Sequence, residues 1–260
     1  MIAVDILISA LLFVSPDAIT DEVFFASKVD IQPESVNRSL PQSIEVKGVE
    51  SFIIIDIETG AKVGRNTTQV QRSVASISKL FIAELVAKNI KQEKLRLEEI
   101  KNDLDAMLSV SDNFASNRLI HRLGGFAEIN RQLREQGYKQ TQFDREYGIL
   151  FAGQDPNQTN LEEIAETLTR LTNISGDLGQ FMRDALQRSE QKENLGSDFG
   201  KIGINAAIIG NAGVVQEGRR KFVIIILTSG TDIQSEDLGL EIVRQAFSEV
   251  RSRLQGKPKS

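Results

Sequence analysis

Two patterns alternate along the chain. Phe52-Ile53-Ile54-Ile55-Asp56-Ile57 is rich in β-branched residues, whose side chains fit a pleated surface, and it predicts a strand. Glu58-Thr59-Gly60 closes that run and Ala61-Lys62-Val63-Gly64 returns from it, as in a hairpin. From Ser76 the period changes. Ile77, Leu80, Phe81, Ile82, Leu85, Val86 and Ile90 wrap most of the way round a helix, which predicts burial on nearly all sides. Thr159-Asn160-Leu161-Glu162 has the capping-box form. Leu161, Ile164, Ala165, Leu168 and Leu171 follow it as a helical stripe, and Leu178, Phe181, Met182, Ala185 and Leu186 make another. Strands resume over Lys201 to Ile209 and culminate in Phe222 to Leu227, an unbroken apolar run that predicts burial on both faces. A last amphipathic helix carries Ile242, Val243, Ala246, Phe247, Val250 and Leu254 on one side. Residues 15 to 50 show no convincing period.

The order is strands, a long helical middle, strands and a final helix. The economical assembly is an α/β (α+β) fold in which both ends of the chain build one antiparallel sheet, with the helical segment as an inserted all-helical lobe. Residues 51–75 and 195–260 are expected to form the sheet lobe, and residues 76–194 the helical lobe. The cleft between two such lobes is a natural place for a site.

Composition narrows the chemistry. The 260 residues contain no cysteine, which excludes disulfides and thiol nucleophiles, and one histidine, His121, too few for a His-rich zinc site. Net charge is −5 with no long basic stripe, which argues against a nucleic-acid partner. The apolar stretch Ile2 to Val14 has the length of a signal-peptide apolar region and is too short to span a bilayer. Asp5 interrupts it and no lysine or arginine precedes it, so a worn export signal and an ordinary buried segment both stay open.

Three short motifs carry chemistry. Ser76-Ile77-Ser78-Lys79 opens the buried helix, and its i, i+3 spacing puts hydroxyl and amine on one helical face. A lysine becomes a base only if burial or neighbouring cations lower its pKa. Ser111-Asp112-Asn113 comes second, and Lys201-Ile202-Gly203 opens a strand. Each has a bland reading: a capping serine with a snorkelling lysine, a capping turn, a solvated strand residue. His121 reads as a packing or surface residue, since no Gly-x-Ser-x-Gly elbow exists to pair with it.

In this order the three resemble the Ser-x-x-Lys, Ser-Asp-Asn and Lys-Thr/Ser-Gly signature of class A serine β-lactamases and penicillin-binding DD-peptidases. His121-Arg122-Leu123-Gly124-Gly125 resembles the Leu-Gly-Gly that follows the second motif, and Phe143-Asp144-Arg145-Glu146 is similar to the Leu-Asp-Arg that opens the family's omega loop. The resemblance implies a five-stranded sheet flanked by helices, and no metal or organic cofactor. It implies a β-lactam or peptidoglycan peptide as small-molecule partner, a monomer, and a periplasmic or secreted location. Ser76 would attack a carbonyl and form an acyl-enzyme while Lys79 takes its proton. Ser111 would relay a proton to the leaving nitrogen, Lys201 would hold that hydroxyl and attract a carboxylate, and Asn113 would bond the substrate's amide. The N–H groups of Ser76 and Ile204 would form the oxyanion hole, with Gly203 completing the strand motif. Two positions depart from the pattern. Ile202 stands where the family has a hydroxyl, whose hydrogen bond to a charged group is worth about 1.5–3 kcal/mol. Glu146, the expected deacylation base, is one place early and lacks its asparagine partner. A one-residue deletion would restore Glu146 as the base of a hydrolysing β-lactamase; without it the enzyme would acylate and then stall, and a degenerate member would only bind peptidoglycan peptides.

Overall fold

The computed structural model describes residues 40–65, 68–148, 157–206, 208–228 and 235–256. The apolar stretch Ile2 to Val14 and most of the irregular stretch 15–50 lie outside the described residues.

The first strand, β1 (Val49–Asp56), turns back into β2 (Lys62–Gly64) with Ile54 opposite Val63, the hairpin expected from the pattern. Its turn is set by Asp56, whose Oδ1 accepts the N–H groups of Glu58 and Thr59 at 2.9 and 3.2 Å. Three later strands complete the sheet: β5 (Phe199–Asn205), β6 (Ile208–Glu217) and β7 (Arg220–Thr228). The order is β2-β1-β7-β6-β5, antiparallel throughout, so β7 lies at the centre and β5 at an edge. The run Lys201 to Ile209, read as one stretch of strand, is broken after Asn205, whose Oδ1 accepts the N–H of Ile208 at 2.9 Å and closes a tight turn. Arg220 leaves the second hairpin turn to pair with buried Asp56 at 2.5 Å, and this joins the ends of β1 and β7.

β7 explains why its sequence lacks alternation. Val223, Ile225 and Leu227 belong to the core on the side of the helical region, whereas Phe222, Ile224 and Ile226 pack with Val243, Ala246, Phe247 and Val250 of α7 (Glu236–Leu254). A central strand covered on both faces needs apolar residues at every position.

Six helices lie between the two parts of the sheet: α1 (Lys79–Lys91), α2 (Leu97–Ser109), α3 (Asn113–Arg122), α4 (Gly125–Glu135), α5 (Leu161–Thr172) and α6 (Gly176–Glu193). α1 is the axis of this region. Leu80, Phe81, Ile82, Ala83, Leu85 and Val86 are all inaccessible to solvent, because α2, α3, α4 and α5 surround the helix. A one-turn 3-10 helix, Ala75–Ser78, precedes it, so Ser76 belongs to that tighter turn and not to α1 itself. The capping-box reading is also shifted by one residue. Asn160 caps α5 by accepting the N–H of Glu163 at 2.8 Å, while Thr159 pairs with Arg72 in a small second sheet of β3 (Arg72–Ser73) and β4 (Gln158–Thr159). Among the described residues no helix is long and apolar enough to cross a membrane, and no cluster of His, Asp and Glu could hold a metal.

Candidate active site

The three motifs meet where the 3-10 turn, the α2–α3 corner and edge strand β5 come together. Lys79 is the first residue of α1 and is completely buried. Its Nζ donates to the Ser111 carbonyl at 2.6 Å, to Ser111 Oγ at 3.1 Å and to Asn113 Oδ1 at 2.7 Å. None of these acceptors is a carboxylate. Burial lowers the Lys79 pKa to about 7, against a smaller opposing pull from Asp112. Ser76, one turn earlier, is half-buried, and among the described residues its hydroxyl makes no hydrogen bond.

The backbone around these groups is unusual. Ala75, just before Ser76, has φ 48°, and Ser111 has φ 60°. Left-handed conformations are costly for residues with a Cβ and persist where the surroundings enforce them. At Ser111 this conformation accompanies a carbonyl and a hydroxyl that both reach Lys79. Asp112 then caps α3, its Oδ1 accepting the N–H of Ala115 at 2.7 Å. Within the triplet, Asp112 caps the helix while Ser111 and Asn113 accept hydrogen bonds from Lys79. Val110 and Phe114 leave large apolar side chains exposed on either side of it.

β5 closes the third side. Lys201 is 1 % exposed, and burial together with the Lys79 charge lowers its pKa to about 7. Among the described residues its amine has no hydrogen-bond partner. A Cβ on Gly203 would lie 2.4 Å from the Val74 carbonyl oxygen and 3.2 Å from the Ile77 nitrogen, so this glycine is what lets the strand approach the 3-10 turn that carries Ser76. Asn205 Nδ2 reaches Ser73 Oγ at 3.2 Å and ties the same two elements. Ile202 lies on the other face of the strand, in the core shared with α7, and Ile204 is partly exposed beyond it. Period-2 alternation separates Ile202 from Lys201 and Gly203, so its apolar side chain packs under the sheet.

Glu146 is not brought to this cluster. Its carboxylate bonds His121 Nε2 at 2.7 Å, and both side chains are substantially exposed. No hydrogen bond links it to Ser76, Lys79 or Ser111. The next residue, Tyr147, is the one that faces Lys79: its ring centroid is 4.7 Å from Nζ, and its hydroxyl is 2.6 Å from Ser78 Oγ. Three asparagines hold this loop by its backbone. Asn130 exchanges two bonds with Phe143, Asn157 accepts from the N–H groups of Asp144 and Arg145, and Asn117 exchanges two bonds with Tyr147. These residues were not singled out in the sequence. The one available signal was the misplaced Glu146, which pointed to its neighbour.

The comparisons with known proteins bear on the fold and the family. A sequence model of the beta-lactamase enzyme family matches residues 99–251, more than half of the chain. The ancestral (GNCA) class A β-lactamase superposes with a TM-score of 0.69 at 20% identity, over 79% of this chain and 94% of that one. A β-lactamase from Xanthomonas campestris gives 0.67 at 18% identity, over 77% and 91%. PBP-A gives 0.66 at 19% identity, over 79% and 89%. At such identities these likenesses show the fold. A protein of Mycobacterium tuberculosis with the provisional name lipoprotein LppW is 30% identical over 110 residues, which is 42% of this chain and 35% of LppW. The chain thus spans about a third of the length of the curated relatives it matches. With the family's model matched over more than half of its residues, this chain belongs to the beta-lactamase enzyme family.

Proposed function

We propose that this protein is a serine hydrolase that opens an amide bond, of a β-lactam or a peptidoglycan peptide, through an acyl-enzyme on Ser76. The observation that carries this reading is Lys79. It is a fully buried amine at the head of the helix that follows Ser76, held by three neutral acceptors and released from most of its usual basicity. A structural lysine would be expected to snorkel to solvent or pair with a carboxylate. An amine poised near neutrality is suited to take a hydroxyl proton.

In this mechanism Lys79 accepts the Ser76 proton as Oγ bonds to the carbonyl carbon. The N–H groups of Ser76 and Ile204 receive the developing oxyanion. Ser111 passes a proton to the leaving nitrogen as the C–N bond breaks, and Lys201 draws in a carboxylate of the substrate. Asn113 bonds the substrate's amide. The exposed apolar side chains of Val110 and Phe114 suit an acyl donor with an apolar side chain. A second reading, a penicillin-binding protein that releases its acyl group slowly, is favoured by Glu146 turning away to His121. The lipoprotein name of LppW supports a periplasmic or secreted location.

Incubation with penicillin G followed by intact-mass measurement tests the proposal. A mass increase equal to the whole penicillin, located on Ser76, is expected, and it should be absent from Ser76→Ala. Its rate should rise with pH to a plateau above about 7, as Lys79 loses its proton. An unmodified mass at every pH and time would remove the acylation reading.

A further inference from the structure

We infer that Ser78 is a positioning residue: by holding the Ala75 carbonyl inside the protein, it aims the Ser76 N–H outward at the oxygen of the substrate carbonyl. The inference rests on the acylation proposed above and gives a task to a residue that acts through the backbone. Ser78 is 1 % exposed, and its Oγ donates to the Ala75 carbonyl at 2.6 Å. That carbonyl and the Ser76 N–H belong to one peptide unit. The unit is planar and trans, so its two polar groups point in opposite directions and fixing one fixes the other. Among the described residues the Ser76 N–H has no hydrogen-bond partner, as expected for an N–H in the first turn of a helix. A serine in a helix can bond the carbonyl one turn back for purely local reasons. Here that carbonyl shares its peptide with the nucleophile.

The turn needs such an anchor because it is strained. Ala75 has φ 48°, a conformation that persists only where its surroundings hold it. The neighbouring groups are held as well. The Val74 carbonyl accepts the Ile77 N–H at 3.2 Å, and the Ala75 N–H reaches Ser73 Oγ at 3.4 Å. The Ser78 hydroxyl is itself fixed. Its one proton goes to the Ala75 carbonyl, so the Tyr147 hydroxyl is the donor in the 2.6 Å bond between the two side chains. Tyr147 O–H, Ser78 O–H and Ala75 C=O therefore form a chain of bonds running in one direction. Successive bonds of this kind polarise one another, which makes the N–H at the far side of the last peptide a stronger donor. Ser78 exchanges no proton with the substrate. The bonds that form and break are those already described for Ser76, Lys79 and Ser111.

The test compares the unmodified chain with Ser78→Ala, Ser78→Thr and Tyr147→Phe, each mixed with excess penicillin G carrying carbon-13 at its β-lactam carbonyl. Intact mass gives the rate of adduct formation, and infrared difference spectra give the stretching band of the ester carbonyl in the adduct. A carbonyl held by well-aimed N–H donors vibrates at a lower frequency than one held loosely. Ser78→Ala should form the adduct roughly 10- to 100-fold more slowly, up to about the loss of one oxyanion donor, and its ester band should move to higher frequency. Ser78→Thr keeps the hydroxyl and should restore both the rate and the band. Tyr147→Phe removes only the outer bond and should fall between the unmodified chain and Ser78→Ala, so the inference stays open to test even where Ser78→Ala folds poorly. A purely structural serine would change the melting temperature and leave the band in place. An ester band at the native frequency in Ser78→Ala and Tyr147→Phe, whatever their rates, overturns the positioning role and leaves the acylation reading standing. No adduct in any of the four proteins overturns both.

Discussion

Ser111 shows how much one residue can be asked to do at a corner. Its left-handed backbone accompanies a carbonyl and a hydroxyl that both bond Lys79, and the same turn starts the helix that brings in Asn113. A glycine there would relieve about 1 kcal/mol of backbone strain and lose a comparable amount to chain entropy. Ser111→Gly should therefore melt close to the native temperature. Under the proposed mechanism its acylation by penicillin should nevertheless fall by roughly 100-fold or more, because the proton relay would be lost. Ser111→Ala, which keeps the strain, should lose the same rate and some stability. Acylation of Ser111→Gly at the native rate, followed by intact mass, would show that the hydroxyl is not a relay. The residue scale also explains Ile202. It breaks the family's pattern, yet it is not an intruder in the site, because strand alternation sends its side chain into the core under the sheet.

Between elements, the decisive contact is that of β5 with the 3-10 turn. Edge strands are free to drift unless something fixes them, and here the fixing residues are Gly203, by having no side chain, and Asn205, by its bond to Ser73. Gly203→Ala would place a methyl against the Val74 carbonyl, a backbone atom that cannot swing aside. A loss of about 1–3 kcal/mol is expected. Acylation should fall further than stability does, since the strand would move away from Ser76. Chemical denaturation beside adduct formation would separate the two effects, and a variant with native values for both would show that the close approach is dispensable. The loop from Phe143 to Gly148 is fixed differently. It has no apolar pattern of its own, and three asparagine side chains, from α3, α4 and the residue just before β4, hold its backbone instead.

For the molecule as a whole, the site is a stability cost. Lys79 and Lys201 are buried with pKa values of about 7, against 10.5 for a free lysine. Between those values the unfolded chain binds more protons than the folded one, so stability must rise with pH through that window. Below it both states are protonated and the penalty is at its largest. The slope is up to roughly 1.4 kcal/mol per pH unit for each lysine. Urea midpoints at about pH 7 and about pH 9 should therefore differ more in the native chain than in Lys201→Met, which removes one of the two amines. Lys201→Met should also be the more stable protein near neutrality while acylating poorly. Equal midpoint shifts in the two proteins would mean that Lys201 is not held near neutrality by its burial.

By itself the sequence determined the main strands, four of the helices and the candidate chemical groups. Unbroken apolar runs marked β7 and α1 because both are covered on every side, and amphipathic stripes marked α5, α6 and α7. The placing of Ser76 and Lys79 on one turn was legible because i, i+3 spacing survives whether the turn is 3-10 or α. Their conjunction with Ser111, Asn113 and Lys201 could be named from their order along the chain. Only the tertiary structure decided which residue of the 143–148 loop faces Lys79. A shift of one position exchanges a carboxylate for a phenol there, and that register is set by Asn117, Asn130 and Asn157, whose hydrogen bonds span 12 to 30 residues and leave no period in the sequence. The asparagine clamps thus decide that Tyr147 faces Lys79 while Glu146 turns to His121.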